Sequence, residues 1–536
     1  MKYSISRLVS VLLIGMMLVG ILFGCARDSA VNLKSLAGRI IIGTTSSIRT
    51  LDPADAYEVF AGNVLYNTIE RLYTYKPGSI ELVPQLATAM PKISEDGLTY
   101  TIPVRTGVKF HDRTDFNALA MSYSLLRFIK LGGAPSSLLA DVVESIKTNS
   151  LTELEIKLKR PYPLFPSLLA FTGAGAISPQ VYDHEKSFLP NKIVGTGPYQ
   201  LTQYLERSIL RLDAFPDYWG EKPANRGIDI QFLSSNANLL NAFKTGAVDV
   251  AYQTLSPNQI HNLEVNAKKN NWTVASNQGM VILYMVLNVQ QPPLDNVKVR
   301  QAIAAAIDRP LLQSRVFQGQ REPVYSLVPK SILGYKPVFQ LYGDGNGKLA
   351  RQLLTEAGYS DRKPAQVTLW YSPTYAGNGD LVVSTLKASI DKSVGKILQI
   401  KLEKVSTSTA YAYLDKGAYP MFLLDWTPDI FDPDNFLQPF LTCDQAKNNI
   451  CTKGSSQYQG SFYNNPEINT LIAKQRQEID PAKRLTQINQ IQDILGRDVP
   501  FIPLWQNKEY AFARSGITGV KIEPTQQLPY WTIRKL

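Results

Sequence analysis

Residues 421–443 read MFLLDWTPDIFDPDNFLQPFLTC. The first four, Met421 to Leu424, form an apolar run that reads as a buried strand. Pro428 and Pro433 cannot sit in a central strand, so the residues from Asp425 onward read as an irregular loop at the strand's carboxyl end. In two-domain α/β proteins, ligands sit at that end. Asp429 would be a fixed negative charge beside an aromatic platform, Trp426. Such a pair suits a cationic group, a free amino terminus for example. The competing reading is that Asp429, Asp432 and Asp434 are solvated turn or capping residues.

The rest of the chain sets the frame for that loop. Its 536 residues suffice for two or three domains. The net charge is +11, but Lys and Arg are scattered, with no dense basic stripe interleaved with aromatics. Nucleic acid is therefore not an expected partner, while a basic excess is compatible with a place near an anionic membrane. The amino terminus reads as a targeting segment. Lys2 and Arg7 give a positive start, and Leu8 to Phe23 is apolar but short for a membrane span. Leu22-Phe23-Gly24-Cys25 resembles a bacterial lipobox, which implies cleavage before Cys25 and acylation of that cysteine. Two further cysteines, Cys443 and Cys451, lie close together in a polar loop. In an oxidising compartment they are expected to pair, a closure that stabilises by about 2–3 kcal/mol in the entropic account. Only three histidines are present, none near either cysteine, so no metal site is expected.

Read in order, Arg39 to Thr44 is a first strand, followed by a helical pattern through Val59, Val64, Leu65 and Ile69. Leu98 to Val104 alternates like a strand, as does Glu153 to Lys159. Gly227 to Leu233 is a strand, and Asn236 is placed to cap the helix after it, with Gly246 at its end. Met280 to Val289 is a long apolar strand of the kind that crosses between lobes. Asp295 or Asn296 starts a helix, and Leu349 to Gly358 forms another. Val367 to Tyr371 and Ile400 to Val405 flank a helical stretch, Leu381 to Ser393, which suggests an α/β lobe. Asp480-Pro481 opens a helix whose buried stripe is Leu485, Ile488, Ile491 and Leu495, and Gly496 is placed to end it.

Several of these pieces together resemble family 5 of the extracellular solute-binding proteins, the peptide-binding components of ABC importers. The matching segments are SEDGLTYTIPVRTGVKFHD (Ser94 to Asp112) and its following helix, Val194-Gly195-Thr196-Gly197-Pro198-Tyr199, Val299 to Ile303 with Ala306 to Arg309, and Val499 to Trp505. The family's acidic pair near the start of the helix is replaced by Leu119 and Ala120, which weakens its cap. The glycines at 195 and 197 do not make a phosphate loop, because no Lys-Ser/Thr follows. His111 reads as a satisfied turn residue.

The resemblance implies an α/β, two-lobe periplasmic-binding-protein fold with an extra subdomain in the first lobe. It implies a signal peptide at 1–24, a tether at 25–38, a first-lobe core from 39–52, 191–287 and 496–536, the extra subdomain at 53–190, and a second lobe at 288–495. In peptide-binding members an Asp three residues after a Trp pairs with the ligand's amino group, which points here to Asp429, with Trp426 lining the adjacent pocket. Tyr57 and Glu58 match the segment that reaches ligand from the first lobe, though both also fit an ordinary helix start. Backbone hydrogen bonds would hold the peptide as an added strand. Dipeptide binders carry a carboxylate-clamping Arg after the strand placed here at Val367–Tyr371. Ser372 to Thr385 contains no Arg or Lys, which favours longer peptides. The implied partners are a peptide, the permease and ATPase subunits of an importer, and the membrane through the lipid anchor. The protein would act as a monomer at the cell envelope, without cofactor. Sugar oligomers and metal chelates are alternative ligands, and a non-transport receptor or chaperone is a further alternative. A lipid-anchored hydrolase is a different class, but neither a Gly-x-Ser-x-Gly elbow nor a His-Glu-x-x-His helix occurs. The carboxylates Asp432 and Asp434 are its nearest candidates.

Overall fold

The computed structural model describes residues 38–183 and 187–536. The leader, Cys25 and all of the tether but Gly38 lie outside them. One eleven-stranded sheet runs through both lobes. From one edge its strands are Leu398–Lys404, Ala365–Tyr371, Met421–Trp426, Thr273–Leu287, Phe501–Ala513, Val250–Tyr252, Arg39–Thr44, Gly227–Phe232, Ile209–Ala214 and Tyr199–Leu205, and Arg321–Pro323 adds to Phe501–Ala513.

The first strand is the centre of one lobe, parallel to Gly227–Phe232 and Val250–Tyr252. Ile40 and Ile42 are fully buried, so both neighbours must be covered. At its start Arg39 is buried and bonds Asp229 at 2.7 Å and Asp213 at 2.5 Å. Gly43 has a packing reason: a Cβ there would lie 2.8 Å from Leu239, on the helix Asn236–Thr245 that covers the sheet. That helix is capped by Ser235, not Asn236; the Ser235 side chain accepts from the Asn238 amide. Gly246 ends it at φ 89°.

The other lobe has the expected β-α-β unit. Ala365–Tyr371 pairs in parallel with Leu398–Lys404 and with Met421–Trp426, and the helix Gly379–Val394 connects the first two. The helix Pro481–Asp498 runs through Gly496 rather than stopping there. Its end is stabilised by a tertiary contact that the local sequence does not reveal: buried Arg300 donates to the carbonyls of Asp498 (2.6 Å) and Val499 (3.2 Å). Gly496 instead makes room for Val338, which would lie 2.9 Å from an added Cβ.

Two long strands join the lobes. Thr273–Leu287 pairs antiparallel with Phe501–Ala513, and the crossing strand begins seven residues earlier than the apolar run suggested. Their ladder breaks between Gln278 and Ile282. Freed backbone groups there are satisfied by side chains. Gln506 Nε2 donates to the Gly279 carbonyl (2.6 Å), and Asn507 Oδ1 accepts from the Val281 amide (3.1 Å). Gly279 leaves room for that side chain, since a Cβ would lie 2.2 Å from Asn507 Oδ1.

A separate four-stranded antiparallel sheet, Lys92–Ile93, Thr99–Pro103, Glu153–Leu158 and Val143–Ser150, carries the helix Ala118–Lys130. That helix is capped despite Leu119 and Ala120, because Asn117 accepts from the Ala120 amide at 3.0 Å. The Gly195–Gly197 turn is a close-packing device: Cβ atoms at either glycine would fall within 2.6 Å of the Thr68 backbone. His111 bonds both sides of that turn, at the Gly195 amide and the Gly197 carbonyl. Its burial holds its pKa down at about 4, so it stays neutral. Cys443 and Cys451 are joined, with Cα atoms 5.6 Å apart. Among the described residues no helix is long and apolar enough to cross a membrane.

The segment that carries Tyr57 is tied down by Asp52. Its carboxylate receives two 2.7 Å bonds from Arg127, and both side chains are fully buried. It also accepts from the Ala54 and Leu189 amides. Arg127→Met is expected to cost about 3–5 kcal/mol, because the carboxylate is left buried and unpaired. Denaturant unfolding checks this, and adding Asp52→Asn to the same chain should recover part of the loss.

Candidate functional site

The loop that follows Met421–Trp426 is held by its own polar atoms. Asn435 Oδ1 accepts from the Asp429 amide at 2.9 Å, folding the loop back on itself. Asp432 caps the short 3-10 turn Pro433–Phe436 by accepting from the Asp434 amide at 2.8 Å. Arg484 grips Asp432 with two bonds, 2.6 and 2.8 Å. Asp434 is 3% exposed and pairs with Arg476 at 3.1 Å, with Gln475 donating to its other oxygen. Burial pushes the Asp434 carboxyl up to about 6, against the pull of Arg476. The solvated-turn reading therefore fails for Asp434 and half-fails for Asp432, which caps a turn but is also ion-paired. Both carboxylates are committed to guanidinium partners, which removes them as a hydrolytic pair.

The loop also reaches across to the other lobe. Ile430 is 2% exposed and sits in the core of the subdomain built on the four-stranded sheet. Phe431 stands edge-on to Tyr75, ring centroids 4.9 Å apart, and Arg476 lies over the ring of Tyr162 at 5.1 Å. Tyr57 Oη donates to Asp429 Oδ1 at 2.6 Å. These contacts close the loop over a cavity of about 420 Å³.

All four residues expected at the site line this cavity: Asp429, Trp426, Tyr57 and Glu58. Asp429 is half-buried, and burial raises its pKa above the ordinary carboxylate range, opposed by the hydrogen bonds of Tyr57 and Asn435. The Trp426 ring packs edge-on against Phe440 at 5.3 Å, and its indole N–H is buried without an acceptor. Glu58 plays a supporting part. It takes a 2.8 Å bond from Arg49, which also holds Asp55 at 2.5 Å. Its side chain makes no cap to the helix Val59–Thr68 that it precedes.

Other wall residues escaped sequence reasoning. Arg71, Tyr75, Tyr411, Asp425, Phe431 and Glu523 also face the cavity. A signal existed for Arg71: Glu70 and Arg71 are two charges inside an apolar run, Ile69 to Tyr73, where charge is unexpected. Glu523 comes from the far carboxyl end and had no local cue. Among the described residues no group of three or more His, Cys, Asp or Glu is placed to hold a metal ion.

Comparison with known proteins follows the same architecture. The profile of a family described as bacterial extracellular solute-binding proteins, family 5 (middle) matches residues 81–448. The glutathione-binding protein GsiB of Salmonella typhimurium is 27% identical over 524 residues, 94% of this chain and 95% of that one. Among solved structures, the periplasmic binding protein DppA of Helicobacter pylori in complex with the peptide STSA superposes with a TM-score of 0.75 at 23% identity. It covers 94% of this chain and 100% of that one. NikA of Brucella suis, in complex with Fe(III)-EDTA, superposes with a TM-score of 0.78 at 20% identity, covering 93% and 100%.

Tyr57→Phe removes the donor that stabilises ionised Asp429. The Asp429 carboxyl pKa should then rise further, as followed by carboxyl-carbon NMR titration. A pKa that does not move would show that the cross-lobe bond does not persist in solution.

Proposed function

The chain belongs to family 5 of the bacterial extracellular solute-binding proteins, and on that footing we propose that it captures peptides between its two lobes and delivers them to the permease of an ABC importer. The observation that carries this reading is the position of Asp429. It faces the cavity beside Asp425, and its own hydrogen-bond partners are the neutral Tyr57 and Asn435. A ligand's α-ammonium group would displace the Tyr57 hydroxyl and give Asp429 a charged donor in a partly dehydrated site. Removing either partner would strand the other's charge, so ligands without an amine are rejected. Trp426 would form the wall of the neighbouring side-chain pocket. Relatives support the choice of ligand: one is a glutathione-binding protein and another was solved with a tetrapeptide.

The role is binding, not catalysis. Residues 39–52, 191–287 and 496–536 would form the first-lobe core, 53–190 its extra subdomain, and 288–495 the second lobe. The mature chain would begin at acylated Cys25, tethered through 25–38 to the membrane as a monomer facing the periplasm or the exterior. The 443–451 disulfide would form after export.

Calorimetric titration of the purified full chain with peptides of graded length, each with a free and an acetylated amine, tests the reading. Free-amine peptides should bind and acetylated ones should not. Asp429→Asn should weaken binding by about 2–5 kcal/mol; unchanged affinity removes Asp429 from the site. Affinity should also fall on acidification as pH drops through the raised Asp429 pKa, because the carboxylate is lost while the amine stays charged. Absence of binding to every peptide would point instead to sugar oligomers or metal chelates. Cys25→Ser should move the protein from the membrane to the soluble fraction, and continued anchoring would mean that the apolar leader is retained.

A further inference from the structure

The wall of the cavity contains a second charge that sequence reasoning did not assign. Arg71 is 1% exposed and lies against the cavity. Three other buried guanidinium groups are matched by carboxylates, Arg39 by Asp229, Arg127 by Asp52 and Arg309 by Asp344, while buried Arg300 has backbone carbonyls on its Nε, Nη1 and Nη2. Arg71 has no such pair among the described residues. Its Nη1 donates to the Ile69 carbonyl and its Nη2 to Thr74 Oγ1, both at 3.2 Å, and its Nε has no acceptor at all. The ring of Tyr66 lies under it at 5.2 Å. Neighbouring Glu70 acts on it through its charge but makes no ion pair with it, since its oxygens are bonded to Thr196, Tyr218 and Trp219.

Apart from Asp425 and Asp429, the other charged residues lining the cavity contrast with Arg71. Lys76 has Glu81, Glu58 has Arg49, and Glu523 has Lys521 at 2.7 Å and the Gly78 amide at 2.5 Å. Arg71 is thus an under-satisfied buried cation on the first-lobe side of a cavity whose second-lobe side presents Asp429. A planar fork with a spare donor matches a carboxylate, and a carboxylate arriving there would repay the cost of burying the charge.

We infer that Arg71, with Thr74 beside it, binds a carboxylate of the ligand, so that the cavity takes a zwitterionic peptide with its amine at Asp429 and its acid at Arg71. This rests on the peptide reading above and adds to it a clamp that replaces the one absent from Ser372 to Thr385. The carboxylate comes either from the peptide's carboxyl terminus or from an acidic side chain.

The test is calorimetry on the full chain with four versions of each free-amine peptide: free acid or carboxyl amide, with or without one Glu side chain. Wild type should prefer the peptide bearing the relevant carboxylate by about 10- to 100-fold, the size expected of a charge-assisted pair. If amidation abolishes the preference, the terminus is the source; if only loss of Glu does, the side chain is. Arg71→Gln should erase the preference while leaving sensitivity to amine acetylation intact, and Arg71→Lys should keep part of it. Circular-dichroism melting of both variants separates this role from a structural one. Removing an unpaired buried cation should not lower the melting temperature, whereas a structural Arg71 would lower it and leave the acid-over-amide preference in place. Wild type binding free-amine peptides without regard to either carboxylate would overturn the clamp while leaving the peptide reading standing. Wild type binding no peptide would overturn both.

Discussion

A carboxylate withdrawn from water must find a partner, and the loop from Asp425 to Phe436 carries four of them. The pairing is uneven. Asp432 and Asp434 are neutralised from behind by Arg484 and Arg476, both carried by the carboxyl-terminal part of the second lobe. Those ion pairs fix the shape of a segment with two proline interruptions and almost no backbone ladder. With the rear of the loop fixed, Asp429 and Asp425 are left facing the cavity. Burial raises the pKa of both. The site therefore owes its chemistry to a division of labour within one loop: two carboxylates spent on structure, two left with charge to offer.

The same loop fastens the lobes. Ile430 enters the core of the opposite subdomain, Phe431 meets Tyr75, and Arg476 reaches Tyr162. The covalent connection, by contrast, is slight. Two antiparallel strands carry the chain across, and their ladder is broken at Gly279, where side chains of Gln506 and Asn507 stand in for backbone partners. A joint with an interrupted ladder and a side-chain-mediated repair is softer than the sheets on either side of it.

Much of the local structure was legible from residue pattern. Arg39–Thr44, Gly227–Phe232 and the β-α-β unit from Ala365 to Lys404 sit where their alternation or apolar runs put them. Errors came where a residue outside the cue itself outweighed it, distant in one case and adjacent in the other. Gly496 looked like a helix end, yet Arg300 carries the helix past it. Leu119 and Ala120 looked like a poor helix start, yet Asn117 supplies the cap. Within the site, Trp426 and Asp429 stood out because an aromatic and an acid at the end of an apolar strand are conspicuous. Arg71 did not, because two adjacent charges in an apolar run, Glu70 and Arg71, do not say which of them is available until their surroundings are known.

The chain by itself determined that Met421–Leu424 is a buried strand and that the residues after it leave the sheet, since period, apolarity and proline act over a few residues. It also determined the ordered motifs from Ser94 to Trp505 that mark the family. Only the tertiary structure decided which charges are spent and which are available. Asp434 and Asp429 lie five residues apart in similar sequence surroundings, and one is locked to Arg476 while the other faces Tyr57 across the cavity. Charge availability depends on partners brought from elsewhere in the chain, Arg476 from 42 residues after Asp434 and Tyr57 from 372 residues before Asp429, and no local pattern encodes them.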